Sequence, residues 1–190
     1  MRRYLTILLF AASTVAMAQG AATMETKGYA SFTYANDYFT ATDRYFTQGV
    51  GLRAGSLGLG RSFAIKPLLR LRSDKRPLLT LLAQQDCYTP SSIRTDTIRS
   101  DDRPFAAALY VGIEAISTDP ERGLSVNSSL IAGVLGPCAS CAEEQHWIHH
   151  GLGDIEPLGW QYQVASDILL NYAVDVEHRL YRSRYVEAQG

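Results

Sequence analysis

From Lys27 onward the sequence alternates with a period of two, and this constrains the chain more than any other feature. Tyr29, Ser31, Thr33 and Ala35 share one parity, while Ala30, Phe32 and Tyr34 share the other. Farther on, Leu169, Asn171, Ala173, Asp175 and Glu177 alternate against Leu170, Tyr172, Val174 and Val176. Such a pattern suits strands with two unlike faces and cannot be laid on a helix. Segments of this kind are read at residues 27–36, 47–57, 61–72, 77–86, 105–117, 124–135 and 167–179. Polar clusters at 73–76 and 118–123 close two hairpins, 61–86 and 105–135. One segment, residues 142–153, reads as a short helix between strands; in a barrel it would lie over the rim or inside the lumen.

The N-terminus reads as an export signal. Arg2 and Arg3 precede an apolar stretch from Tyr4 to Val15, and Ala16-Met17-Ala18 has the small-x-small form of a cleavage site, so the mature chain is expected to start at Gln19. Removing residues 1–18 takes two of the 18 basic residues and none of the 19 acids, leaving a net charge of −3. No basic patch is available to neutralise phosphates, which argues against nucleic acid as a partner. No later stretch stays apolar for the ~18 residues of a spanning helix. A barrel crosses with strands instead, and 11 tyrosines would supply its aromatic girdles. The strand pattern alone serves a soluble β-sandwich equally well. An odd strand count, with no obvious strand over 181–190, leaves a barrel unclosed; a domain at 19–190 is therefore expected to be the N-terminal part of a larger barrel.

Three cysteines, Cys87, Cys138 and Cys141, would meet oxidising conditions after export. The Cys138-Ala-Ser-Cys141 spacing allows a small local disulfide with Cys87 left over. A zinc site with His146, His149 and His150 and a pair of free thiols are the other readings.

Four motifs recur along the chain in a fixed order. They are Asn36-Asp37-Tyr38-Phe39 followed by Asp43-Arg44-Tyr45-Phe46-Thr47-Gln48-Gly49; Asp86-Cys87-Tyr88-Thr89-Pro90; Asp102-Arg103-Pro104-Phe105-Ala106-Ala107; and Gly136-Pro137 with Gln145, His149 and Gly159-Trp160-Gln161-Tyr162-Gln163. Together they resemble the outer-membrane lipid A 3′-O-deacylases. The resemblance implies an antiparallel transmembrane β-barrel, complete at about twelve strands and monomeric when complete. It also implies residence in the bacterial outer membrane and calcium-dependent hydrolysis of the 3′-linked acyl ester of lipid A, the lipid anchor of lipopolysaccharide.

Residue by residue, the resemblance assigns His149 as general base, four residues after Gln145 and eleven before Trp160. It assigns Asn36 and Asp37 to the active-site pair, whose oxygens suit a calcium ion. Thr47 takes a hydroxyl position for orienting water or substrate, with Phe46 where the family has tyrosine. An acid expected six residues after the histidine is replaced by Ile155; of its neighbours Asp154 and Glu156, Glu156 is the expected substitute. Asp167 matches a further acid, and Trp160 reads as a packing aromatic. The departure at Ile155 leaves a non-catalytic barrel as the alternative, and an unclosed barrel would have to oligomerise, stay soluble or be inactive.

Overall fold

The computed structural model describes residues 27–36, 44–183 and 187–190. The export segment and Asp37 lie outside them. Seven strands form one antiparallel meander in sequence order: β1 (Gly28–Asn36), β2 (Gln48–Ser56), β3 (Leu78–Tyr88), β4 (Ala106–Asp119), β5 (Leu124–Leu135), β6 (Asp167–Arg182) and β7 (Glu187–Gln189). The helix α1 (Cys141–Leu152) lies in the connection between β5 and β6. Among the described residues β1 and β7 are the two edges, so the sheet is open.

The strand register decides between barrel and sandwich. One cross-strand row runs Phe32–Leu52–Ala83–Val111–Ala132–Leu170, apolar at every position. Yet Phe32 is 66% and Leu170 72% exposed. The opposite face carries a polar network: Arg53 pairs with Glu114 at 2.8 Å, Asn127 donates to Glu114, and Gln84 and Tyr110 donate to Asp86. A sandwich would bury its apolar face against a second sheet. An exposed apolar face backed by a polar one is the pattern of a barrel wall, lipid outside and lumen inside. Glycines on the lumen side make room for large neighbours. A Cβ at Gly55 would run into the Tyr29 ring, which crosses it to place its hydroxyl 2.9 Å from the Thr80 hydroxyl.

Two expectations are corrected. Residues 61–72 do not form a strand; the chain makes short 3-10 turns at Leu59–Arg61 and Phe63–Ile65. Pro67 has no N–H for a ladder, and Ile65 and Leu68 instead fold back onto Leu79 and Ala115. Ser128 donates to the Leu69 carbonyl at 2.7 Å and the Leu69 amide donates to the Tyr172 hydroxyl at 3.0 Å, pinning this segment to the apolar face. At the other end of the chain, β7 pairs with β6 where no strand is expected from the sequence.

The connections at residues 37–47, 89–105 and 136–166, the last of them the longest, join strands at one end of the sheet, and those at 57–77 and 120–123 join strands at the other. In outer-membrane barrels the longer loops face the outside, which places α1 at the outer rim.

Candidate functional site

The site is assembled where β1, β2 and β3 reach that rim. Asn36 is the register partner of Gln48, and Gln48 of Cys87, so these three side chains share the outer, apolar face. Polar residues at this point of an apolar face need partners, and α1 supplies them. Cys87 forms a disulfide with Cys141, the first residue of α1, with Cα atoms 5.7 Å apart. The carboxylate of Glu144 accepts from Gln48 Nε2 at 2.6 Å and from Gln85 Nε2 at 2.7 Å. Gln85 also donates to the Ala139 carbonyl at 2.8 Å. The helix therefore lies against the outside of the wall, neither inside the lumen nor simply over the rim as the sequence suggests. The expected local disulfide is likewise replaced: Cys141 bonds Cys87 across 54 residues, and Cys138 is an exposed free thiol. Having spent Cys141, the zinc reading falls; among the described residues no three His, Cys, Asp or Glu side chains are placed to hold a metal.

Helical spacing puts Cys141, Gln145 and His149 on one stripe, each four residues apart, and all three are buried against the wall. Gln145 donates from Nε2 to the Thr47 hydroxyl at 3.2 Å and accepts at Oε1 from the Trp160 indole at 2.7 Å. These two partners fix its amide orientation and tie Thr47, α1 and the 153–166 loop together. Trp160 is buried against Phe105, ring centroids 4.7 Å apart, so it packs as expected and also serves as a donor. Thr47 itself is 3% exposed and is presented by the turn at Tyr45, whose backbone is left-handed (φ 73). The guanidinium groups of Arg44 and Arg103 stand over that ring, at 5.2 and 4.6 Å from its centroid.

His149 is 6% exposed, and its Nδ1 lies 2.5 Å from the backbone carbonyl of Ile155. A carbonyl can only accept, so Nδ1 carries the proton and Nε2 is the acceptor nitrogen of the neutral ring. The position where the family pattern puts an acid thus supplies an acceptor through its main chain, and the identity of its side chain no longer matters for this contact. Gly153, left-handed at φ 66, ends α1 and turns the chain so that Ile155 comes back to His149.

The structure brings Thr47, Gln145 and His149 into one buried cluster and sets Asn36 on the same face at the same strand end. Asp37 lies outside the described residues. Glu156 is not brought to His149: it pairs with His146 at 3.1 Å, both side chains well exposed. Asp154 and Asp167 each accept from the next backbone amide, of Ile155 and Ile168. Glu156→Gln is accordingly expected to change the turnover of any substrate less than about twofold, since exposed pairs of this kind contribute little; steady-state kinetics of that variant check it. Glu144, Gln48 and Gln85 are the residues sequence reasoning misses. Their signal was present in the parity, which puts two glutamines on a face that is otherwise apolar.

The 89–105 loop frames the site from the β3–β4 side. Its anchor is Asp102, which accepts from the amides of Ser91 at 2.6 Å and Arg103 at 2.8 Å, with Arg99 3.8 Å away. Hydrogen bonds from the Ser91 side chain and amide hold the Asp102 carboxyl at about 2. A pKa depressed in the folded loop means the anchor is fully present above the ordinary carboxylate value of about 4 and is lost as pH falls toward 2. Amide exchange of residues 91–103 is expected to accelerate over that window, and an Asp102→Asn variant to exchange faster already at neutral pH.

The donors near Asn36 and Thr47 are an amide oxygen and a hydroxyl, hard ligands that fit calcium and not a thiophilic metal. A family model described as "Outer membrane protein LpxR" matches residues 5–190. Among solved structures, LpxR from Salmonella typhimurium superposes with a TM-score of 0.60 at 25% sequence identity, over 79% of this chain and 50% of that one. The chain thus spans about half the length of that structure. No curated protein matches the chain. An exposed apolar wall, a polar lumen face and a family match over nearly the whole sequence lead to one assignment: the chain belongs to the LpxR family of outer-membrane β-barrel proteins.

Proposed function

We propose that this protein is a carboxylic ester hydrolase that removes the 3′-linked acyl chain of lipid A in the outer leaflet. The observation that carries the reading is His149, buried between α1 and the lipid-facing wall with its Nδ1 proton held by the Ile155 carbonyl. That arrangement makes Nε2 the acceptor nitrogen of the ring and fixes its direction, as a general base requires. Nε2 takes a proton from water, and the resulting hydroxide attacks the acyl carbonyl. Collapse of the tetrahedral intermediate breaks the bond to the sugar oxygen, which takes the proton back from His149. The Ile155 carbonyl steadies the imidazolium while it is charged. Thr47, oriented by Gln145, is positioned to hold the water or the substrate ester. Calcium bound by Asn36 and Asp37 would supply positive charge where the oxyanion develops.

The location supports the same reading. The site lies on the lipid side of the wall at its outer rim, the level at which lipopolysaccharide would present its ester bonds. Purified lipopolysaccharide in detergent micelles tests it. Fatty acid release should require the whole protein, stop on chelation with EDTA and resume with added calcium. Release indifferent to EDTA would remove calcium from the mechanism. A folded protein that releases nothing would leave a non-catalytic barrel.

A further inference from the structure

We infer that a shallow groove on the lipid-facing wall below α1 binds the acyl chain whose ester is cleaved and sets the chain length accepted. This inference rests on the reading of the site as an ester hydrolase and adds the subsite that reading lacks.

The groove, of about 570 Å³, crosses β1, β2 and β3. Its lining includes Phe32, Leu52 and Leu81 as walls and Ala30, Ala54 and Ala83 as floor. All six share the face that carries Gln48 and Gln85, the residues that hold α1. The rows descend in register from the site: Asn36–Gln48–Cys87, then Tyr34–Val50–Gln85, then Phe32–Leu52–Ala83, then Ala30–Ala54–Leu81. Successive rows are two residues apart, roughly 7 Å along the strand. The groove therefore lies about 14 to 20 Å below the site, directly beneath it. Half of a hydrocarbon core of about 30 Å is about 15 Å, so the groove sits where the tail of an outer-leaflet acyl chain ends. A chain whose carbonyl is held beside Thr47 and His149 runs down β2 and places its terminal methylenes between Phe32, Leu52 and Leu81.

The alanines make the depth testable, because apolar enlargement on a lipid-facing surface leaves the fold alone. Ala54→Leu fills the lower row. It should lower release of a fourteen-carbon chain about threefold relative to a ten-carbon chain, because the displaced methylenes pass from a packed slot into lipid of similar apolarity and lose only their packing contacts. Ala132→Leu, in the Ala83 row but on β5, should leave the ratio unchanged. A second readout does not need turnover. A 3-O-acylated glucosamine phosphate with a diazirine at the tail of a twelve-carbon chain, in nanodiscs, should label β2 and β3 peptides, and Ala54→Leu should remove that label. Equal chain-length ratios in Ala54→Leu and the parent protein, or labelling spread evenly over β1 to β6, would show bulk lipid in the groove and overturn the inference. Groove-specific labelling by a protein that hydrolyses nothing would uphold the groove and defeat the hydrolase reading instead.

Discussion

His149→Ala is expected to lower acyl release from lipopolysaccharide by roughly 10²- to 10⁴-fold, the range a positioned general base contributes, while the barrel keeps its fold. The size of the effect follows from geometry. His149 is one of three residues on the buried stripe of α1, and the other two, Cys141 and Gln145, hold the helix through the disulfide and the Thr47 contact. Removing the imidazole takes away the base and leaves those attachments in place. Heat-modifiable mobility on a gel confirms the barrel, and kcat measured beside KM separates loss of chemistry from loss of binding. A His149→Ala protein that retains parental kcat would show that proton transfer runs through another group.

The second large effect is expected from the disulfide. Replacing both Cys87 and Cys141 by serine removes a link across 54 residues. Loop-closure entropy for a link of that span corresponds to about 4 kcal/mol of global stability. Denaturant unfolding of the oxidised and the Cys87→Ser/Cys141→Ser proteins should differ by about that amount. Locally, the start of α1 would then be held to the wall by the Glu144 bonds to Gln48 and Gln85, the Gln85 bond to the Ala139 carbonyl and the Gln145 bond to Thr47. Amide exchange of residues 141–152 should rise, and activity should fall through kcat as His149 loses its fixed position. Cys138→Ser should reproduce none of this, because that thiol is exposed and unbonded to sulfur. Equal stability of the double-serine and oxidised proteins would mean that the polar clamp alone seats the helix.

How much of this was legible in the sequence depends on the kind of interaction. The strands were, because parity is local: β1, β2, β5 and the start of β6 fall close to where alternation puts them. The segment at 61–72 was misread because apolar content outweighed Pro67, and only the tertiary contact with Leu79 and Ala115 shows where its apolar residues go. The disulfide was misread for a related reason. Cys138 and Cys141 are close in sequence, yet Cys87 meets Cys141 through three strands of register, which no spacing rule carries. The motifs led to His149, Thr47 and Asn36, and the structure supplies what motifs cannot: that the orienting partner of His149 is the backbone of Ile155. A main-chain acceptor leaves no side-chain signature, so the missing acid looked like a defect.

Mass spectrometry of lipid A tests the account most directly. Lipopolysaccharide-bearing outer membranes should be exposed to the whole protein in calcium, and their lipid A compared with that from membranes exposed to His149→Ala. The account requires the parental protein to lower the lipid A mass by the acyl group carried at the 3′ position and the variant to leave the mass unchanged. An unaltered spectrum from a correctly folded parental barrel, or the same mass loss from both proteins, would contradict it.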